Sequence, residues 1–276
     1  AKTGQARENG VFHFGRFGYE IVKNLMIDAR TTSRWFFVVA MGRKAGHLAL
    51  HISKAAGNTL TLIPEEFGDK PLSVKKLVDI LAGAIIKRLA YGHPDGVAIL
   101  AEGLLERIPE EELKTLGHVE RDAHDNIRFD ELDFGTIMKR EVSGRLEQFG
   151  IKMTIVAKNI GYELRCADPI AFDVEYSRDL GLYAADLLLK GESQLMVSIQ
   201  NGKLVPIPFQ HLIDPTTGRT RIRFVDIQSD TFRALQHFMI RLEPADFDDL
   251  TELAKYAAVC GISLEEFYRE FHHVVE

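Results

Sequence analysis

The stretch Trp35-Phe36-Phe37-Val38-Val39-Ala40-Met41-Gly42-Arg43-Lys44-Ala45-Gly46-His47 decides how this chain is read. Its first seven residues are apolar without alternation, which predicts a strand covered on both faces. Gly42 turns the backbone. A helix predicted over about 44–56 then opens on two cations, Arg43 and Lys44, and stops at Gly57. Positive charge at a helix N-terminus opposes the macrodipole, so the pair makes better sense if an anion such as a phosphate sits at the turn. A solvated charge pair on an ordinary strand–helix unit is the plain alternative.

Working outward, Phe17, Ile21, Val22, Leu25 and Met26 recur at helical spacing and predict a helix over roughly 16–30. Thr59-Leu60-Thr61-Leu62-Ile63 is the next strand, stopped by Pro64. Ser73 caps a long helix carrying Val74, Leu77, Val78, Leu81, Ile85 and Leu89, and Gly96-Val97-Ala98-Ile99-Leu100-Ala101 is a third buried strand. This β-α-β-α-β alternation places the chain in the α/β class, with a parallel sheet and helices on both faces. Parallel strands finish at one edge, so the turn after Met41 and the turn after Ala101 open on the same side. That brings Arg43 and Glu102 to one crevice, where ligands of open α/β sheets bind.

Further along, residues 117–136 are polar and acidic, with Asp122, Asp125, Asp130, Glu131 and Asp133; their spacing matches no calcium loop, and a solvated loop is expected. A helix near 137–149 ends at Gly150, and Met153-Thr154-Ile155-Val156 begins another strand. Gly161-Tyr162-Glu163-Leu164-Arg165 leads to Pro169 and a helix of about 172–190. Leu195–Ile199 and Leu204–Ile207 flank Asn201-Gly202, a hairpin signal. Helices are expected at about 229–241, 248–260 and 263–274, the last opened by a Ser263/Glu266 capping box. The change of pattern near Gly161, from βα units to helix plus hairpin, suggests a domain boundary there.

The 276 residues are 46% hydrophobic and 27% charged, with a net charge of −6, as in an ordinary water-soluble globular protein. This balance lacks the basic surface of a generic nucleic-acid binder, and no apolar run approaches the roughly 20 residues of a membrane span. Cys166 and Cys260 have no metal-type spacing, which fits a reduced, cytoplasmic protein. The first residues lack an initiator Met and any periodicity, so upstream sequence is expected to be missing.

Candidate chemistry is sparse. His47 and His51 share a helix face, but no Glu follows His47 and no third ligand stands out, so packing or polar surface is expected rather than a metal. His272 and His273 read as surface. No nucleophile elbow, Walker loop or dinucleotide fingerprint is present. What remains is Arg34 before the first strand, Arg43 and Lys44 after it, Tyr162 and Arg165 before Pro169, and the carboxylate of Glu102. Arginine forks suit phosphate oxygens and a lone carboxylate suits sugar hydroxyls, which points to a phosphorylated polyol or sugar.

At these residues the chain resembles the phosphofructokinase family. Met41-Gly42-Arg43 followed by Ala45-Gly46 is similar to that family's fructose 6-phosphate loop, and Ile99-Leu100-Ala101-Glu102-Gly103 to the strand end whose Glu holds the sugar hydroxyls. Arg34 matches an Arg that reaches a neighbouring subunit's 6-phosphate, and Lys158 a second cross-subunit phosphate contact. Ile160-Gly161-Tyr162-Glu163-Leu164-Arg165 through Pro169 and Phe172-Asp173 matches a segment where ATP-using members commonly carry a His and an Arg before two glycines. Tyr162 and Arg165 take those places here, and Cys166-Ala167 replaces the glycine pair, which resembles the pyrophosphate-dependent branch.

The resemblance covers about residues 14–275. It implies a Rossmann-type fold whose first domain is incomplete, with 14–161 binding the sugar phosphate, 162–228 a remnant of the phosphoryl-donor domain, and 229–276 C-terminal helices. It further implies phosphoryl transfer to fructose 6-phosphate in glycolysis from pyrophosphate or ATP, with Mg2+, in a homo-oligomer, and with neither nucleic acid nor membrane as partner. Met41, Gly42, Arg43, Glu102, Tyr162 and Arg165 would hold the substrate, aided by Arg34 and Lys158. The family's Gly-Gly-Asp donor loop and its Thr-Ile-Asp-Asn-Asp catalytic loop would lie before residue 14. No catalytic residue and no magnesium ligand is therefore assigned. A non-catalytic sugar-phosphate-binding or regulatory subunit is the alternative from a different class.

Overall fold

The computed structural model describes residues 9–42, 44–68, 70–116 and 132–276, with side chains from residue 15 onward. Six of the seven apolar residues form β1 (Trp35–Ala40), every one of them buried, and Met41 follows half-buried in the turn. Side chains alternate across a strand, and the alternation here splits the interior in two. Trp35, Phe37 and Val39 enter one hydrophobic cluster, while Phe36, Val38 and Ala40 enter another. The prediction of a strand covered on both faces therefore holds residue by residue. β1 pairs in parallel with β3 (Gly96–Ala101) and β4 (Ile155–Ile160), and β2 (Leu60–Leu62) pairs in parallel with β3, giving the order β2-β3-β1-β4.

One face is covered by α1 (Asn9–Thr32) and α2 (His47–Ala56), which cross closely. A Cβ on Gly15 would lie 2.1 Å from the His51 ring, and one on Gly18 would lie 2.3 Å from Ile52 Cδ1, so only glycine permits this approach. The other face is covered by α3 (Val74–Ala90) and α5 (Phe134–Glu147), with the short α4 (Glu110–Leu116) between them in sequence. Ser73 caps α3 as predicted, its Oγ accepting the Lys76 N–H at 3.2 Å. Asp133 caps α5 through the Thr136 N–H, so that helix starts three residues before the expected 137. The rest of the acidic loop, Asp122, Asp125, Asp130 and Glu131 included, lies outside the described residues.

After β4 come α6 (Tyr162–Arg165) and α7 (Ala171–Leu189). The hairpin at Asn201-Gly202 forms as expected, both residues at positive φ (51° and 73°). Its arms are not the two continuous strands predicted. They break into β5 (Leu195–Met196) with β8 (Ile207–Pro208), and β6 (Ile199–Gln200) with β7 (Lys203–Leu204). Pro206 supplies no N–H to continue the ladder, while at the break the Val205 N–H donates to the Ser198 carbonyl at 2.8 Å and Ser198 Oγ donates to the Val205 carbonyl at 2.6 Å.

The short α8 (Phe209–Leu212) precedes α9 (Asp230–Gln236), α10 (Pro244–Asp248), α11 (Leu250–Cys260) and α12 (Leu264–Phe271). α9 ends before the expected 241 because the chain is drawn into the sheet edge, the Ile240 N–H donating to the Thr59 carbonyl at 2.8 Å. α11 and α12 pack against α3, with Tyr256, Phe267 and Phe271 fully buried. Arg145 on α5 locks this assembly, donating to Asp79 at 2.7 Å and to Glu270 at 2.8 Å. Its guanidinium also covers the rings of Phe149 and Phe271. His272 and His273 are not free surface. His272 stacks on Tyr268, and His273 Nε2 lies 3.2 Å from the buried Asp79 carboxylate. Among the described residues, no helix is long and apolar enough to cross a membrane.

Candidate functional site at the sheet edge

The register sets the site. Ala40 stands opposite both Ala101 and Ile160, so β1, β3 and β4 end level and release their next residues at one edge. The Met41 N–H donates to the Ile160 carbonyl at 3.3 Å, and Gly161 sits against Met41, where a Cβ would be 3.8 Å from Met41 Cβ. The Gly42 N–H donates to Glu102 Oε2 at 2.9 Å, joining two turns that are 60 residues apart in sequence. The φ of Gly42 is +135°, a conformation that L side chains rarely adopt, which makes glycine a requirement here. Met41, Gly42 and Glu102 thus meet at the carboxyl ends of the strands. Arg43 lies outside the described residues.

The turn differs from expectation in one respect. α2 begins at His47, not at 44, so Lys44 lies exposed in the turn that precedes the helix rather than within it. The anion at the helix start is supplied by the protein. Both oxygens of Glu65 accept the Gly46 N–H, at 3.0 and 3.1 Å, and Glu65 Oε1 also accepts the Val225 N–H at 2.9 Å. A carboxylate there complements the partial positive charge of the helix N-terminus. Sequence reasoning missed Glu65. The available signal was its position just past the end of β2, at the same sheet edge as Gly42 and Glu102.

The turn after β4 adds a second group of residues at this edge. Tyr162 is 77% exposed, and the Arg165 guanidinium stacks over its ring at 5.0 Å, which presents a planar cation fork beside an aromatic face. Glu163 accepts from Lys158 Nζ at 2.7 Å and from the Gly161 N–H at 3.2 Å. These hydrogen bonds, that from Lys158 foremost, hold its carboxyl down at about 2. Lys158 therefore has an ion-pair partner within its own chain.

Arg34 does not join this group. It precedes β1, its carbonyl accepts the Gly96 N–H at 3.3 Å, and its Nε lies 3.9 Å from Asp28. The length of β1, roughly 20 Å at a strand's rise per residue, separates it from Met41.

Of the histidines considered as ligands, His47 Nε2 meets the Arg223 carbonyl at 3.1 Å, and His51 packs on Gly15 with its pKa lowered by burial and by Lys54. Among the described residues, no group of three or more His, Cys, Asp or Glu is placed to hold a metal ion. Cys166 is exposed one residue past Arg165, whereas burial pushes the Cys260 thiol up to about 12 and leaves it unreactive.

Comparison with known proteins bears on this edge. The family model described as Phosphofructokinase matches residues 17–188. The pyrophosphate–fructose 6-phosphate 1-phosphotransferase of Naegleria fowleri is 46% identical over 269 residues, covering 94% of this chain and 62% of that protein. The enzyme of the same name from Thermotoga maritima is 44% identical over 262 residues, covering 93% of this chain and again 62% of its own length. The chain thus spans about 62% of the length of these curated relatives. Two solved structures share the fold. The pyrophosphate-dependent phosphofructokinase of Nitrosospira multiformis superposes with a TM-score of 0.52 at 15% identity, covering 84% of this chain and 55% of that one. The phosphofructokinase of Saccharomyces cerevisiae gives 0.55 at 17% identity, covering 99% and 28%.

Proposed function

This chain belongs to the phosphofructokinase family, and on that premise we propose that it forms the acceptor half of a pyrophosphate-dependent enzyme, the part that binds fructose 6-phosphate. The observation that carries this reading is the contact between the Gly42 N–H and Glu102 Oε2 at 2.9 Å. It brings a phosphate-type turn and a sugar-type carboxylate to one strand-end crevice, next to the stacked Tyr162 and Arg165. In the intact protein the 1-hydroxyl of fructose 6-phosphate attacks a phosphorus of pyrophosphate. The new O–P bond gives fructose 1,6-bisphosphate as the hydroxyl loses its proton, the bridging bond of pyrophosphate breaks, and inorganic phosphate leaves, taking up that proton.

The roles follow from chemistry. Glu102 accepts hydrogen bonds from sugar hydroxyls, while Arg165 and Arg43 offer guanidinium forks to the 6-phosphate. Tyr162 holds Arg165 flat and supplies a hydroxyl. The backbone of Met41 and Gly42 shapes the turn. Arg34 and Lys158 serve a neighbouring subunit's phosphate, Lys158 after leaving Glu163; this requires a homo-oligomer. Residues 14–161 form the sugar-phosphate domain, 162–228 belong to the donor domain, and 229–276 are the C-terminal helices. The magnesium associated with the family has no ligand set among the described residues. A cytoplasmic site in glycolysis fits this activity.

Calorimetry with fructose 6-phosphate tests the binding. The chain is expected to bind it, and Glu102→Gln is expected to weaken binding at least about tenfold, the order expected of a hydrogen bond to a charged group, while leaving affinity for inorganic phosphate unchanged. Equal losses for sugar phosphate and for phosphate alone, or no binding by the parent chain, would overturn the reading. Turnover by the intact protein with pyrophosphate, but not with ATP, identifies the donor.

A further inference from the structure

The turn between β1 and α2 is fastened at both ends by carboxylates that arrive from two other strand ends. Glu102, after β3, takes the Gly42 N–H at 2.9 Å, and Glu65, after β2, takes the Gly46 N–H at 3.0 Å. Gly46 has no room to shift, since a Cβ there would fall 2.4 Å from Ile63 and 3.0 Å from Glu65 Oε2. Glu65 does a second thing that Glu102 does not. The same oxygen that holds Gly46 accepts the Val225 N–H at 2.9 Å, a link across 160 residues. The 223–225 segment touches the start of α2 again through the Arg223 carbonyl and His47 Nε2, at 3.1 Å. Val225 itself is 7% exposed and buried in the cluster that contains Ala40, Ile160 and Leu164, the residues beneath the site.

From this we infer that Glu65 is a positioning residue for the sugar-phosphate turn, and that it couples occupancy of that turn to the 223–227 segment. The inference rests on the proposed binding of a sugar phosphate at the turn. Two backbone donors on one carboxylate oxygen share its position, so a ligand that fixes the turn fixes Gly46, then Glu65, then Val225. The coupling is reciprocal: a disturbance at 223–227 lowers affinity at the turn by the factor through which the ligand steadies that segment. Glu65 touches neither the substrate nor the reacting atoms in this arrangement, so its removal acts on ligand affinity and leaves the chemical step alone.

The test measures fructose 6-phosphate affinity and amide hydrogen exchange at Gly46 and Val225 in the intact protein, with and without ligand. In the parent protein, ligand slows exchange at both amides. In Glu65→Ala, affinity falls roughly tenfold, as expected for loss of hydrogen bonds to a charged acceptor, KM rises with kcat retained, and ligand no longer slows exchange at Val225. Glu65→Gln restores much of the coupling, because its single amide oxygen can accept from both Gly46 and Val225. Should Glu65→Ala not fold, Glu65→Asp decides the matter, since it keeps the charge but is one methylene too short to span the two donors. Affinity equal to the parent's, or Val225 still responding to ligand without Glu65, overturns the inference while the functional reading stands. A parent protein that binds no fructose 6-phosphate overturns the functional reading, and this inference with it.

Discussion

At the scale of single residues, the site depends on Gly42 more than on any charge described near it. With φ at +135° and the Ala45 carbonyl 3.2 Å from where a Cβ would sit, Gly42→Ala forces the turn to move. The expected cost is about 1–2 kcal/mol of stability, read as a lower denaturation midpoint, together with loss of fructose 6-phosphate binding by calorimetry. Glu163 gives a pH signature. Its carboxyl is depressed from an ordinary 4.5 to about 2, chiefly by the Lys158 hydrogen bond. A depressed acid stabilises the fold at pH values above its unfolded pKa and loses that contribution as pH falls, here between about 4.5 and 2. The side chain is 46% exposed, so solvent screens the pair and the effect on overall stability is small. Carboxyl-carbon NMR should place the midpoint near 2, and in Lys158→Ala it should move back toward 4.5. Glu102 was legible from sequence because strand topology alone puts it beside Gly42. Glu65 was not, because its donors, the Gly46 and Val225 N–H groups, depend on how α2 and the 223–227 segment dock.

At the scale of elements, the C-terminal helices are fastened to α3 and α5 by ions in a dry setting. Asp79 is fully buried and Arg145 only 12% exposed, their contact being 2.7 Å. Breaking a buried pair costs about 3–5 kcal/mol, and losing Asp79 leaves Arg145 with Glu270 alone, at 2.8 Å, which places the cost at the lower end. Asp79→Ala is therefore expected to lower the denaturation free energy by about 3 kcal/mol. The double change Asp79→Ala with Arg145→Met is expected to cost less than the sum of the two single changes, since both remove the same contact. Chemical denaturation of the three variants checks both statements. Local chemistry made several boundaries readable: the Ser73 cap, the αL stop at Gly261, the Ser263/Glu266 capping box and the Asn201-Gly202 turn all stand where residue type alone puts them. The start of α2 was misplaced by three residues because its anionic partner, Glu65, comes from 19 residues away, beyond any helix-start pattern. The approach of His273 to Asp79, at 3.2 Å, was hidden for the same reason.

At the scale of the molecule, α7 packs thinly, touching α1. None of the residues of α7 is buried, and Leu182, Leu188 and Leu189 are 67%, 71% and 88% exposed. An apolar face of this kind marks a contact surface, and the chain spans only about 62% of the length of its curated relatives. Expressed alone, the chain is expected to self-associate and to bind hydrophobic dyes through α7. Leu182→Glu with Leu189→Glu should reduce both, by sedimentation and fluorescence, without lowering the melting temperature; a drop like that of a core variant would count against it. The sequence by itself determined the α/β class, the parallel sheet with helices on both faces and the edge where Gly42 and Glu102 emerge. Those follow from unbroken apolar runs and from the geometric rule that parallel strands finish together. That the 161–165 turn joins them came from the parallel pairing of β4 with β1. Only the tertiary structure decided which groups close that edge. The Glu65 clamp, the Lys158–Glu163 pair within one chain and the stacking of Arg165 on Tyr162 depend on where side chains meet in the folded chain, and residue spacing does not encode that.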